Sequence, residues 1–301
     1  MDLGMIGLGR MGANMGERLL RGGHRVAGYD PGEAARAAAA ARGIETVESL
    51  AALVDALPAP RALWLMVPAG PIVDDTIAAL RPLLAAGDTV IDGGNSFYRD
   101  SQRRAEQLAA AGLGWLDVGT SGGIWGLEEG YSLTVGGDAA LAGRLAPLFA
   151  SLAPAPDRGW GHVGPAGAGH FAKMVHNGIE YGLMQAYAEG FAILQRKEAL
   201  GFDLAQVAEI WREGSVVRSW LLDLCAGSLR DNPGLEGIAP YVADSGEGRW
   251  TVAEAIDLDV AAPVITQALI ERLRSRDDAA FADRLLAALR DAFGGHGVRH
   301  D

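Results

Sequence analysis

Short apolar runs alternate with helix-length segments through the first half of the chain. Residues 2 to 6 (DLGMI) are apolar and stop at a glycine loop, and residues 11 to 21 then carry a helical pattern. HRVAGYD (24 to 30) is a second run, closing on an acid, and an alanine-rich helix follows from Glu33 to Ala41. ALWLMVP (62 to 68), DTVIDGG (88 to 94), GLGWLDVGTSGG (112 to 123) and YSLTVGG (131 to 137) continue the series. Strand-length runs separated by helix-length segments predict a parallel, doubly wound α/β sheet. Residues 153 to 169 (APAPDRGWGHVGPAGAG) are rich in Pro and Gly and mark a boundary. Beyond it the pattern is helical, with candidates at 170 to 198, 203 to 230, 251 to 273 and 277 to 293. The expectation is an α/β domain over residues 1–165 and an all-α domain over 166–301.

At the start of the helical half stands KMVHNGIEY (173 to 181). Lys173, His176, Asn177 and Glu180 fall at i, i+3, i+4 and i+7, one face of a helix, while Met174, Val175 and Ile179 point elsewhere. A single Lys/Glu pair on a helix is usually a solvated ion pair of little consequence. Here a His-Asn pair sits between them, and the helix lies where the two expected domains join, a common place for small-molecule sites.

Composition narrows the classes. The chain has 301 residues, 49% hydrophobic and 21% charged, a globular profile long enough to bury a substantial core. A net charge of -12 argues against nucleic-acid binding, which needs clustered Lys and Arg. It leaves room for a small anionic substrate, which needs only a few local cations. Cys225 is the single cysteine, so no intrachain disulfide forms and a reducing compartment is expected. No apolar stretch is long enough to span a membrane, and the first strand begins where a leader would be cleaved; a cytoplasmic location is expected. The histidines, His24 and His162 among them, show no metal-ligand spacing, so no metal is expected.

The glycine loop G-L-G-R-M-G runs Gly7, Leu8, Gly9, Arg10, Met11, Gly12, after a strand and before a helix. In that context the first glycine permits the tight turn, the second lets backbone approach a pyrophosphate, and the third allows close helix–strand packing. The helix N-terminus offers free N–H groups to the phosphates. Asp30 closes the second run, where a carboxylate can accept from the ribose hydroxyls of NAD and would repel a 2′-phosphate. No arginine follows it directly; Arg36 comes six residues later. The expectation is a Rossmann-type domain that binds NAD in preference to NADP. Ligands in such folds bind at the carboxyl ends of strands, which here carry Val67-Pro68-Ala69-Gly70, Asp92-Gly93-Gly94-Asn95-Ser96 and Ser121-Gly122-Gly123. Asn95 can both donate and accept, and the Ser121 hydroxyl with two glycine N–H groups can hold a carboxylate.

These segments together resemble the decarboxylating 6-phosphogluconate dehydrogenases of the β-hydroxyacid dehydrogenase superfamily. The resemblance rests on GLGRMG, VPAG, DGGNS, TSGG, K-x-x-H-N-G-I-E-Y and the tail RDAFGGH (290 to 296), and the length is similar to the short bacterial form. It implies oxidation and decarboxylation of 6-phosphogluconate to ribulose 5-phosphate, a pentose phosphate pathway step. It implies that Lys173 is the general base and Glu180 the acid, two proton transfers that suit one helix face. Burial could supply the lowered pKa a lysine base needs. The cofactor contacts implied are Gly7, Leu8, Gly9, Arg10, Met11, Gly12, Asp30, Val67, Pro68, Ala69 and Asn95. The substrate contacts implied are Asn95, Ser121, Gly122, Gly123, His176, Asn177 and Tyr181, with Arg272 at the phosphate. Arg290 and His296 match tail residues that reach a neighbouring subunit's site, so a homodimer or homotetramer is implied. Two departures stand out. The long form has a lysine shortly before its Gly-Lys-Trp-Thr segment, whereas this chain reads DSGEGRWT (244 to 251); Arg249 can compensate. Asp30 stands where long-form members use an Asn-Arg pair for NADP, which supports NAD. The alternatives are another β-hydroxyacid dehydrogenase, of 3-hydroxyisobutyrate or tartronate semialdehyde type, an imine reductase-like enzyme, and a non-catalytic NAD-binding protein.

Overall fold

The computed structural model describes residues 1–277, 280–294 and 299. The chain divides into two compact units, Met1–Asn177 and Gly178–Asp301, each taken in turn.

The first unit is built on eight strands: β1 (Asp2–Ile6), β2 (Arg25–Tyr29), β3 (Glu45–Val47), β4 (Ala62–Leu65), β5 (Thr89–Asp92), β6 (Gly114–Ser121), β7 (Ser132–Gly137) and β8 (Trp160–Gly164). They lie in the order β3-β2-β1-β4-β5-β6-β7-β8. Its helices are α1 (Arg10–Arg21), α2 (Glu33–Ala40), α3 (Leu50–Asp55), α4 (Pro71–Leu80), α5 (Tyr98–Ala109), α6 (Gly126–Glu129) and α7 (Ala139–Leu152). All neighbouring strands pair parallel except β6 and β7, which run antiparallel with Ser121 opposite Ser132. The sheet is the doubly wound, mostly parallel one expected, with this one reversed pair. The connection holds only a 3₁₀ turn and the single-turn α6, too little chain for a parallel crossover.

Two apolar layers cover the two faces of this sheet. Trp64 joins the cluster of Leu3, Met5, Ile91 and Phe149. Its neighbours Leu63 and Leu65 join Ile6, Val90 and Leu108 on the other face, the period-two alternation of a strand buried on both sides. Each such side chain contributes about 1.5–3 kcal/mol by leaving water. Strand β8 falls within the stretch read from sequence as a linker; WGHVG carries too few apolar positions to announce a strand, yet it pairs with β7.

Helix α8 (Ala168–Arg196) runs through the division at Asn177. The first turns of α8 are anchored on the sheet, as described below, and the division falls after Asn177. The second unit continues with α9 (Leu204–Arg212), α10 (Trp220–Asp231), α11 (Glu247–Asp257), α12 (Pro263–Arg274) and α13 (Phe281–Gly294). The expected helices at 203 to 230 and 251 to 273 are each two. Ser219 starts α10 by accepting from the Leu222 N–H at 3.1 Å. Pro263 opens α12, where a proline's missing N–H costs nothing and the preceding residue is pushed out of helical geometry. Phe191, Ala208, Leu222, Ala226 and Leu229 form one apolar core of this unit, and Tyr181, Ala268 and Leu269 another. Among the described residues no helix is long and apolar enough to cross a membrane.

Candidate functional site

The glycine loop joins β1 to α1. Gly7 has φ +91 and a Cβ there would strike the Met66 carbonyl oxygen, while a Cβ at Gly12 would strike the Gly7 carbonyl oxygen. Both positions therefore exclude a side chain. At Gly9 an added Cβ meets no atom within 4 Å: it faces open space at the start of α1, whose cap carries no side-chain hydrogen bond and whose first turn has no acid. That is a cradle for a pyrophosphate. The Asp30 carboxylate, just past β2, accepts from Leu8 N–H and Gly32 N–H, each at 2.8 Å, which fixes an acid beside the loop. Arg36 on α2 folds back to donate to the Asp30 carbonyl at 2.8 Å. This donor and acceptor set fits NAD.

The loop after β5 is shaped from within. Asp92 is fully buried and accepts from Gly94 N–H at 3.1 Å and from the Ser96 hydroxyl at 2.7 Å. Arg104 backs it, its Nη1 3.5 Å from Asp92 Oδ2, and also donates to Asp74 at 2.9 Å. Hydrogen bonds from Arg104, then Arg103, hold the Asp74 carboxyl below its usual range despite partial burial. Asn95 is left exposed at the crest of this loop.

The start of α8 is anchored by a carboxylate and by glycines. Asp117, fully buried on β6, accepts from Gly167 N–H at 2.7 Å and His170 N–H at 2.9 Å. These are donors that a helix N-terminus leaves without helical partners. A Cβ at Gly169 would strike the Asp117 carbonyl oxygen, and one at Gly119 would lie 2.5 Å from the Lys173 Cβ; the helix backbone thus lies directly on β6. The Thr134 hydroxyl donates to the Gly169 carbonyl at 3.0 Å, and buried His170 meets the Ser101 hydroxyl at 2.7 Å. Lys173 follows one turn on, 9% exposed, its amine 3.5 Å from His176 Nδ1. His176 Nδ1 lies 3.0 Å from Asn177 Oδ1 and its Nε2 3.5 Å from the Ser121 hydroxyl. With Nδ1–H donating to Asn177, Nε2 can accept from Ser121. Ser121, Lys173, His176 and Asn177 therefore form one chain of contacts, with Gly122 and Gly123 next to it at φ +138 and +53.

In the helical unit Tyr181 is buried, and the Arg272 guanidinium sits 3.5 Å over its ring, a cation–π geometry. Arg272 also donates to the Ala243 carbonyl at 2.9 Å. Arg249 makes a two-pronged bond to Asp244, at 2.9 and 3.1 Å. Glu180 is partly exposed on α8 and Arg290 exposed on α13; His296 lies outside the described residues. Among the described residues no three His, Cys, Asp or Glu side chains are grouped to hold a metal ion.

Residues 2–163 match the NAD-binding domain of 6-phosphogluconate dehydrogenase, and residues 169–283 its C-terminal domain. The chain belongs to the 6-phosphogluconate dehydrogenase family. A Haloferax volcanii protein named NAD(+)-dependent, decarboxylating 6-phosphogluconate dehydrogenase is 48% identical, covering 99% of this chain and 98% of that one. A putative 6-phosphogluconate dehydrogenase of Bacillus subtilis, YqeC, is 44% identical over 98% of each. The Plasmodium falciparum 6-phosphogluconate dehydrogenase structure superposes with a TM-score of 0.85 at 28% identity, covering 100% of this chain. This chain spans 66% of that longer one. Members of the family are oxidoreductases, and the family's NAD-binding domain is the unit that carries the glycine loop and Asp30. Two parts of the geometry were missed in the sequence: Asp117, which holds the helix carrying Lys173, and the pairing of Asp244 with Arg249 and Arg276. The first had a signal, an acid in the middle of the apolar run WLDV; the second had only half of one, since DSGEGRWT holds Asp244 and Arg249 while Arg276 is 32 residues from Asp244.

Proposed function

We propose that the chain oxidatively decarboxylates 6-phospho-D-gluconate to D-ribulose 5-phosphate and carbon dioxide, with NAD in preference to NADP. What carries it is Lys173, buried and linked to His176, Asn177 and Ser121, with Glu180 at i+7 on the same helix. The names of the relatives agree with it.

Lys173 takes the proton of the C3 hydroxyl as the hydride leaves C3. The nicotinamide, when bound, supplies the hydride acceptor. Lys173, now an ammonium, donates to the 3-keto oxygen, which draws in the electrons released when the carboxylate departs as carbon dioxide. Glu180 then delivers a proton to the carbon that lost it, C1 of the product. Ser121 with the Gly122 and Gly123 N–H groups holds the carboxylate, while Asn95, His176 and Asn177 hold hydroxyls. Tyr181 and Arg272 meet the phosphate, and Arg290 and His296 complete a neighbour's site. Gly7 through Gly12 cradle the pyrophosphate, Asp30 accepts from the ribose, and Val67, Pro68 and Ala69 line the cofactor's path. The carboxylate of Asp30 supports NAD because it would repel a 2′-phosphate.

A homodimer or homotetramer fits the helical unit, where Ile193, Ile210 and Val216 stand 72%, 61% and 98% exposed. The experiment is a substrate comparison: 6-phosphogluconate and 3-hydroxyisobutyrate, each with NAD and with NADP. Turnover of 6-phosphogluconate with NAD is expected; turnover of 3-hydroxyisobutyrate alone would move the chain to the simple β-hydroxyacid dehydrogenases.

A further inference from the structure

The segment that follows Ser121-Gly122-Gly123 has little structure of its own to hold it. It consists of a 3₁₀ turn, Gly123–Trp125, and the one-turn α6, and a helix that short is not stable by itself. Gly122, Gly123 and Gly130 take φ values of +138, +53 and +86. Ile124 and Trp125 are 52% and 51% exposed. What fixes the segment comes from α1. Arg18, partly buried, donates through Nη1 to the Leu127 and Glu128 carbonyls of α6 at 3.0 and 3.3 Å. Its Nε and Nη2 donate to the Leu152 and Ala153 carbonyls at the end of α7, at 2.9 and 2.7 Å. The Tyr131 N–H, where the segment leaves for β7, donates to the same Leu152 carbonyl at 2.9 Å. These are carbonyls that helix ends leave without helical partners, and a cation suits the negative end of both helices. One guanidinium thus ties two helix C-termini to α1, whose own N-terminus forms the pyrophosphate cradle. Asn14, one turn earlier on α1, donates to the Ile124 carbonyl at 3.4 Å. The buried Tyr131 ring supports the segment from within: a Cβ at Gly126 would strike it. Arg21 also bonds Glu128 at 3.0 Å, but both groups are exposed and such a contact has little weight.

We propose that Arg18 is a positioning residue for substrate binding: it holds the segment after β6 against α1, so that Ser121, Gly122 and Gly123 present a preformed site to the substrate carboxylate. This rests on 6-phosphogluconate being the substrate. A loop that orders only on binding loses affinity by the cost of ordering, and a loop already held in place does not. Arginine suits the task because its planar fork carries five donors at fixed angles, enough to meet four carbonyls on two helix ends at once. A lysine offers three donors from a single point. The Ser121 hydroxyl in turn lies 3.5 Å from His176 Nε2, so the placement of this loop also sets the chain of contacts that leads to Lys173.

The test uses Arg18→Ala, Arg18→Lys and, as a control, Arg21→Ala in the full chain. For Arg18→Ala, KM for 6-phosphogluconate should rise about tenfold or more while kcat changes less. Ribulose 5-phosphate has no carboxylate for the loop to hold, so its inhibition constant should stay within about twofold of wild type. The NAD dissociation constant should hold equally well, because the glycine loop and Asp30 are untouched. Arg18→Lys should recover part of the loss and serves in place of the alanine variant if that one does not fold; Arg21→Ala should behave as wild type. A second readout needs no substrate. A glutamyl endopeptidase should cut after Glu128 and Glu129, sites read by mass spectrometry, about tenfold faster in Arg18→Ala than in wild type. A lower melting temperature with KM unchanged, or equal weakening of 6-phosphogluconate and ribulose 5-phosphate, would overturn the inference and leave the substrate assignment standing. A wild type that does not turn over 6-phosphogluconate removes the substrate assignment alone; faster cutting in Arg18→Ala then still supports the tie, and unchanged cutting overturns it.

Discussion

Lys173 has its place because Gly119 has no side chain: a methyl group at Gly119 would lie 2.5 Å from the Lys173 Cβ. The strand and the helix touch backbone to backbone at this point, and the Lys173 amine is positioned by what β6 leaves out. Gly119→Ala must therefore push α8 away. Overpacking of this kind costs about 1–3 kcal/mol, and a displacement near 1 Å lowers turnover on the order of 100-fold. Steady-state kinetics and a thermal melt check both; unchanged kcat would mean that the helix tolerates the shift.

Asp117 does the complementary work. It receives two backbone N–H groups at the start of α8, and both are buried with it. Asp117→Ala leaves them without an acceptor, a loss of about 2–4 kcal/mol. Thermal unfolding should shift markedly, and NADH formation should fall even where the protein still binds cofactor. A melting temperature within a degree or two of wild type would show that other groups hold the helix.

Asp30 should govern the choice of cofactor. Its carboxylate is fixed by Leu8 and Gly32 N–H groups, so it cannot swing away from a 2′-phosphate. Arg36 already lies against its carbonyl. Asp30→Ser should raise the ratio of NADP to NAD efficiency by about tenfold or more, since removing one close like charge is worth at least about 1.4 kcal/mol. An unchanged ratio would place the discrimination elsewhere.

The helical unit should carry an acid-sensitive tie. Hydrogen bonds from Arg249, then Arg276, lower the Asp244 carboxyl from 3.8 to about 2, against a smaller opposing effect of burial. A folded-state pKa below the unfolded value stabilises above the unfolded value and is lost as pH falls through the folded one. The tie is therefore full above pH 3.8 and gone below about 2. Its size is on the order of 1–2 kcal/mol, given the exposure of Arg249. Asp244→Asn should melt lower at neutral pH and lose less than wild type between pH 4 and pH 2. Equal acid sensitivity in the two proteins would contradict it.

Local pattern carried much of this molecule. GLGRMG and Asp30 could be read because their chemistry is confined to one βα turn and the next strand end. KMVHNGIEY could be read because helical spacing alone puts four groups on one face. The reversed strand β7, the glycine-rich strand β8 and the breaks in the helical half could not. Each depends on connection length or on which backbone groups find partners, and hydrophobic pattern does not report either. Asp117 and Gly119 escaped for a related reason: their role is to seat another element, and that is visible only when β6 and α8 are brought together. Arg276 and Asp244 are 32 residues apart, beyond any spacing rule.

The most direct test of the central claim measures NADH and carbon dioxide together, with 6-phosphogluconate, for wild type and Lys173→Met. One carbon dioxide per NADH in wild type, with NAD far better than NADP, and loss of both products in the variant is the expected result. NADH without carbon dioxide, or a Lys173→Met variant that still turns over at the wild-type rate, would contradict the roles given to Lys173 and Glu180.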